Sequence, residues 1–241
     1  MSNISIGTWL SIPSEAVAEI FANAGYEWIV IDLEHSVINI NQAERMIRII
    51  DLSGVKSLVR LSSHDSSQIK RVLDAGAKGI IAPMVETQNQ IQNIISSCYY
   101  PPAGNRGMGL ARAQGYGATT AKEDYLYKDA NSIEVFAQIE SLKGIKNLDE
   151  IFSCNIDGYF IGPYDLSASI GSPGDFSSDA FKSAEREIIN AAKNANIKRG
   201  YHLVEPDHKE IEVIHKKGYN MIAFSVDVRM LDFTARMPFK I

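Results

Sequence analysis

The chain has 241 residues, 45% hydrophobic and 22% charged, an ordinary globular composition with ample length for a closed core. Its formal charge of −5, from 24 basic and 29 acidic residues, comes without a Lys/Arg run, which argues against a nucleic-acid footprint. Cys98 and Cys154 lie far apart and form no CxxC or metal-ligand spacing, so a disulfide scaffold is excluded and a reducing compartment fits. The opening MSNISIGTWLSIPSEA lacks a basic segment followed by a long apolar run, and stretches such as WIVI end in charge within a few residues. A soluble, cytoplasmic protein with no signal peptide and no membrane span is the expectation.

Strand-like and helix-like patterns alternate along the chain. Short β-branched runs predict strands at 4–10, 28–33, 57–61, 79–84, 133–140, 158–162, 198–204 and 221–226. Between the first two, Ser14 caps a stretch in which Val17, Ile20, Phe21 and Ala24 recur at helical spacing until Gly25. Asn39 opens the next helix, with Ala43, Met46, Ile47 and Ile50 on one face; Asp65 and Thr87 cap two more. Later helices are expected at 145–152, 178–195, 207–217 and 228–237, the last stopped by Pro238. Eight strand–helix units imply a parallel sheet, and closing eight strands gives a (β/α)8 TIM barrel as a single domain over 1–241. The rival, an open nucleotide-binding sheet, needs GxGxxG after the first strand, where this chain has SIPSEA. One connection before strand five, 98–132, far exceeds the usual span of about 2–6 residues and is expected to be functional or interfacial.

Barrel active sites lie at the carboxyl ends of the strands. Those ends bring Trp9, the run Asp32-Leu33-Glu34-His35, Arg60, Gln138, Glu140, Asp165, His202 and Glu205 toward one mouth. Strand alternation puts Asp32 with Glu34, and Gln138 with Glu140, on inward faces. Converging carboxylates repel unless a cation sits among them, and oxygen-only ligation suits a hard divalent ion, Mg²⁺ or Mn²⁺ in character. Arg60 offers a donor fork for an oxyanion or carboxylate, or a structural salt bridge to Asp32 or Glu34. His35 is the imidazole nearest this group and the natural proton carrier. No Lys stands at a strand's carboxyl end, which disfavours Schiff-base chemistry, and the last two units lack the Gly-rich turns of a phosphate site. His64, His202, His208 and His215 are recruited by no pattern.

Five stretches together are specific: GTWLSIPSEAVAEIFANAGYEWIVIDLEH, LVRL with QIKRVLDAGAKGIIAPMVET, YPPAGNRGMG, QIES and GYFIGPYDLSASIG. Over roughly residues 7–230 the chain resembles the HpcH/HpaI family of class II, metal-dependent pyruvate aldolases in the phosphoenolpyruvate/pyruvate barrel superfamily. The resemblance implies a lyase that cleaves or forms 4-hydroxy-2-oxo acids from pyruvate and an aldehyde. It implies Glu140 and Asp165 as ligands of a divalent metal, Mg²⁺ or Mn²⁺ foremost and Co²⁺ or Zn²⁺ as alternatives. Gln138, the backbone at Tyr164, and Asp165 would hold the 2-oxo acid; Trp9 and Leu203 would line its pocket. Arg60 would steady the enolate oxygen, His35 would move the proton and Asp74 would raise its basicity, while Asp32 and Glu34 would stand behind metal-bound water.

Asp74 falls at the end of the third helix, near the amino end of the barrel, about 17–20 Å, a strand length, from His35. The pair would therefore meet only between subunits, in a homo-oligomer (hexamer or trimer) with a shared site. Two departures from the family stand out. The final helix is shortened, and Tyr occupies position 164 where relatives often carry a small residue. Two other functions remain open on sequence alone: a citryl- or malyl-CoA-type lyase on the same metal site, and a non-catalytic barrel subunit.

Overall fold

The computed structural model describes residues 4–117 and 132–239. Eight parallel strands close into a barrel in chain order: β1 (Ser5–Leu10), β2 (Trp28–Asp32), β3 (Lys56–Arg60), β4 (Gly79–Ala82), β5 (Glu134–Ile139), β6 (Gly158–Ile161), β7 (Lys198–Leu203) and β8 (Met221–Val226), with β8 pairing back onto β1. The α-helices among the described residues are α1 (Glu15–Ala22), α2 (Ile40–Leu52), α3 (Ser66–Asp74), α4 (Gln88–Cys98), α5 (Leu142–Lys146), α6 (Leu148–Phe152), α7 (Pro163–Ser169), α8 (Asp179–Asn194), α9 (Lys209–Lys217) and α10 (Asp227–Ala235). None of them is long and apolar enough to cross a membrane.

The helix starts follow the capping chemistry written in the sequence. Ser14 accepts the Val17 N–H, Asp65 accepts the Ser67 N–H, and Asn39 and Thr87 form reciprocal capping boxes with Gln42 and Gln90. Differences arise where such signals are absent or interrupted. The predicted helix 145–152 is two short helices, the first starting at the Ser141 cap and ending at Asn147. Helix α7 lies where only the end of a strand was expected, because Gly162 offers no side-chain cap and Pro163 starts the helix directly. The long connection 98–132 is described up to Gly117, ending in an irregular turn over Arg112–Gly117; residues 118–131 lie outside the described residues.

Each strand separates two cores. One face packs under the helices, as with Ile29 and Ile31 of β2. The other fills the barrel with Trp9, Trp28, Val30, Leu58, Ile81, Phe136, Phe160, Met221 and Ala223. Two indoles and two phenyl rings fit because glycines face them. A Cβ on Gly7 would overlap the Trp28 indole, and one on Gly200 would stand 2.7 Å from Phe160 Cδ1. The β1–β8 ladder slips near the mouth: Gly7 pairs with Ala223, but Trp9 pairs with Val226, so β8 carries an extra residue there. Ser225 at this bulge has φ of 55°.

These contacts make the barrel interior intolerant of added volume. Gly7→Val is expected to cost at least about 1–3 kcal/mol, whereas Gly109→Ala, at a site with open space around it, is expected to be near neutral. Urea denaturation of the two variants checks the difference, and equal stability would contradict the packing described.

Candidate functional site

The β2–β3 register sets Asp32 beside Arg60 at the carboxyl end of the barrel. Arg60 Nε and Nη2 donate to Asp32 Oδ1 and Oδ2 at 2.8 and 2.6 Å, and Nη1 stands 3.0 Å from Glu34 Oε2. Asp32 Oδ1 also accepts the backbone N–H groups of Glu34 and His35 at 3.0 and 3.3 Å, which folds the chain after β2 around the carboxylate. Burial works to raise the Asp32 carboxyl, but the hydrogen bonds and charge of Arg60 outweigh it and hold the group below its ordinary value. The salt-bridge reading of Arg60 is what this geometry shows. The side chain is an ion-pair hub, it faces the cavity, and its Cζ stands 4.5 Å from the Trp9 ring centroid.

Glu140 follows β5 and is 3% exposed. Its Oε1 accepts the Met84 N–H at 2.6 Å, and its Oε2 accepts Gln138 Nε2 at 2.5 Å. Met84 makes the first bond from a left-handed conformation (φ 48°), a strained choice for a side chain of this size. Burial raises the Glu140 carboxyl above its ordinary value, and the negative charge of Asp165 adds to the rise against the opposing hydrogen bonds and Arg60. Glu34 is likewise raised, by burial first and by the charge of Glu140 against the pull of Arg60. A Cβ on Gly162 would overlap Glu140 Oε2, so only glycine leaves room beside this carboxylate. The side-chain amide oxygen of Gln138, Oε1, is buried without a hydrogen-bond partner among the described residues.

Of these groups Arg60, Gln138, Gly162 and Asp165 border a cavity of about 210 Å³ whose walls also include Trp9, His35 and Tyr164. The volume suits a small molecule. Two carboxylates and an unpartnered amide oxygen are an all-oxygen donor set that fits a hard divalent cation. Among the described residues no group of three or more His, Cys, Asp and Glu side chains is placed to hold a metal. Glu140 and Asp165 would be the carboxylates available here, with the remaining positions left to substrate and water.

His35 stands at the rim with its side chain 67% exposed and Nε2 3.9 Å from Glu34 Oε2. Tyr164 is also exposed, its ring packed edge-on against Phe176 at 5.0 Å. Leu203 requires a correction. Its side chain belongs to the core between barrel and helices, and the residues facing the cavity are its neighbours, His202 of β7 and Val204 just after the strand. Alternation along β7 from the inward Gly200 carries this placement and was the signal available in the sequence.

His202 stacks on Trp9 with centroids 4.7 Å apart and planes 5° from parallel, and its Nε2 lies 3.1 Å from the Ser225 carbonyl. Burial, helped by the Arg60 charge, pushes it down to about 4, so the ring is neutral at pH 7. Asp74 lies elsewhere. It ends α3, accepts hydrogen bonds from Arg106 Nη2 at 2.6 Å and Gln114 Nε2 at 3.3 Å, and lines a second cavity with Leu110, Arg112 and Tyr116. His35 is not among the residues around it there.

Comparison with known proteins gives a consistent result. Residues 5–232 match the family described as HpcH/HpaI aldolase/citrate lyase. The chain is 35% identical over 228 residues to a 2-keto-3-deoxy-L-rhamnonate aldolase of Klebsiella pneumoniae, covering 93% of this chain and 84% of that one. It is 34% identical over 230 residues to a hydroxypyruvate/pyruvate aldolase of Paraburkholderia phytofirmans, covering 92% and 86%. Among solved structures, an HpcH/HpaI aldolase/citrate lyase family protein from Burkholderia cenocepacia superposes with a TM-score of 0.91 at 29% identity, covering 99% of this chain and 94% of that one.

The Asp32–Arg60 pair has side chains only 7% and 11% exposed, so removing one partner strands the other. Arg60→Ala is expected to destabilise the fold by about 3–5 kcal/mol. Adding Asp32→Asn should recover part of that loss, with a coupling of about 0.5–3 kcal/mol in a double-mutant cycle read by urea denaturation. Strict additivity would contradict the pairing.

Proposed function

Since the chain belongs to the HpcH/HpaI aldolase/citrate lyase family and is a carbon–carbon lyase, we propose that it joins a 2-oxo acid such as pyruvate to an aldehyde, giving a 4-hydroxy-2-oxo acid, and runs the same step in reverse. The observation that carries this reading is the buried, raised carboxyl of Glu140 beside Asp165 and the unpartnered Gln138 oxygen at a small cavity.

Glu140 and Asp165 would hold a divalent cation, Mg²⁺ or Mn²⁺ by the hardness of the donors. When bound, it supplies Lewis acidity that lowers the cost of negative charge on the 2-oxo acid's carbonyl oxygen. The residues of the chain do the rest. Gln138, Asp165 and the backbone at Tyr164 orient the 2-oxo acid, and Trp9 closes one wall and excludes water. Arg60, held rigid by Asp32 and Glu34, aims positive charge at the oxygen where it develops in the transition state. In the forward direction the methyl carbon gives up a proton to the His35 imidazole, directly or through a water, its freed electron pair attacks the aldehyde carbon, and the aldehyde oxygen is protonated. His35, at the rim where the aldehyde enters, delivers that proton from an imidazole nitrogen and removes it in the reverse direction, directly or through a water.

Asp74 enters this scheme through a second copy of the chain. Its carboxylate would reach the partner's rim histidine in a homo-oligomer, so the site would be completed between subunits.

Three outcomes check the proposal. Pyruvate incubated in D₂O with the enzyme and Mn²⁺ should exchange its methyl protons without any aldehyde; Glu140→Gln should lower that rate at least about 100-fold. Absence of exchange in the unaltered enzyme would overturn the reading. Mn²⁺ should also raise the melting temperature. A ligating carboxylate must be ionised, and the Glu140 pKa is raised, so protons compete from a higher pH than at an ordinary carboxylate. The gain should therefore shrink as pH falls, and a gain independent of pH would count against Glu140 as ligand. Finally, mixing His35→Ala with Asp74→Ala subunits should restore part of the turnover missing from each alone, and no rescue would refute sharing between subunits.

A further inference from the structure

We propose that His202 is a specificity-determining residue, whose Nδ1 accepts a hydrogen bond from a hydroxyl on carbon 3 of the 2-oxo acid and so favours 3-hydroxy-2-oxo acids over pyruvate. This deepens the aldolase reading above and rests on it.

The argument starts at the bulge in β8. The extra residue there leaves Ser225 at φ 55°, and its carbonyl lies 3.1 Å from His202 Nε2. A carbonyl only accepts, so Nε2 carries the hydrogen. Ser225 is itself pinned, its hydroxyl donating to the Val204 carbonyl at 2.7 Å. Stacking on Trp9 fixes the plane of the ring. Burial keeps the imidazole uncharged, so Nδ1 presents a lone pair. No described residue donates to Nδ1, and it is not one of the buried polar atoms sealed without a partner.

The cavity lining also includes the apolar Trp9, Phe160 and Val204, with the Arg60 charge near enough to act on the ring. A neutral acceptor on such a wall recognises a donor group. A carboxylate or keto oxygen gains nothing there, and a methyl group leaves Nδ1 without a partner inside a desolvated site. A hydroxyl satisfies it. Depth assigns the hydroxyl to the 2-oxo acid rather than to the aldehyde. Trp9, on which His202 lies, is 2% exposed, whereas Tyr164 at the mouth is 58% exposed. The component held against Glu140 and Gln138, which are 3% and 4% exposed, occupies the deep end, and its third carbon is the one that meets this wall.

The test compares kcat/KM for 3-hydroxypyruvate and for pyruvate, with one common aldehyde and Mn²⁺. It uses the unaltered enzyme, His202→Phe, which keeps a ring to stack on Trp9 but has no acceptor, and His202→Gln, which keeps an acceptor. His202→Phe is expected to lower the hydroxypyruvate-to-pyruvate ratio at least tenfold, and His202→Gln to hold it within threefold of the unaltered enzyme. Should the phenylalanine variant fail to fold, His202→Leu is read in its place. A parallel loss with both donors, or an unmoved ratio, overturns the assignment while leaving the aldolase reading intact. An unaltered enzyme inert to both donors overturns that reading itself.

Discussion

A surplus of negative charge at the barrel mouth is the constraint around which the rest of the site is arranged. Asp32, Glu34, Glu140 and Asp165 converge there, and among the described residues lining the cavity Arg60 alone carries a permanent positive charge. Arg60 is spent on the first two: its bond to Asp32 brings that carboxyl down, while Glu34 stays raised despite it. Glu140 has two hydrogen bonds and a like-charged neighbour, and it too stays raised. The mouth is thus divided into a neutralised half, which holds a guanidinium rigid, and an under-neutralised half, which suits a cation. On the function proposed above, negative charge developing on a carbonyl oxygen would draw on both halves at once.

The barrel supports this arrangement through its irregularities as much as through its regular strands. Met84 takes a left-handed conformation and directs its N–H at Glu140. The β8 bulge turns the Ser225 carbonyl toward His202. Gly162, having no Cβ, lets the Glu140 carboxylate pack against its backbone. Each is a departure from ideal backbone or side-chain filling, and each stands at the carboxyl end of a strand, where the fold tolerates variation because the layers below are filled by Trp28, Phe136 and Phe160.

Most of this architecture was legible in the sequence because the local signals were physical ones. Short β-branched runs marked the strands, and Ser14, Asn39, Asp65 and Thr87 marked helix starts through side chains that do cap. Convergence of Asp32, Arg60, Gln138 and Glu140 followed from alternation and from the rule that barrel sites lie at strand ends. Helix α7 was hidden because a glycine and a proline begin it without a capping side chain. The exchange of Leu203 for His202 has a different origin. Motif matching fixes a neighbourhood but not which of two adjacent strand residues faces inward, and Gly200, needed for the Phe160 ring, is what sets that phase. Neither the Ser225 bulge nor the Met84 conformation has a sequence signature, since both residues ordinarily avoid positive φ.

Calorimetric titration of the purified protein with Mn²⁺, in buffers of different ionisation enthalpy, addresses the charge surplus most directly. One ion per chain should bind with release of protons at mildly acid pH, and the site should be lost in both Glu140→Gln and Asp165→Asn. Binding that survives both substitutions, or no binding at all in the unaltered protein, would contradict the account.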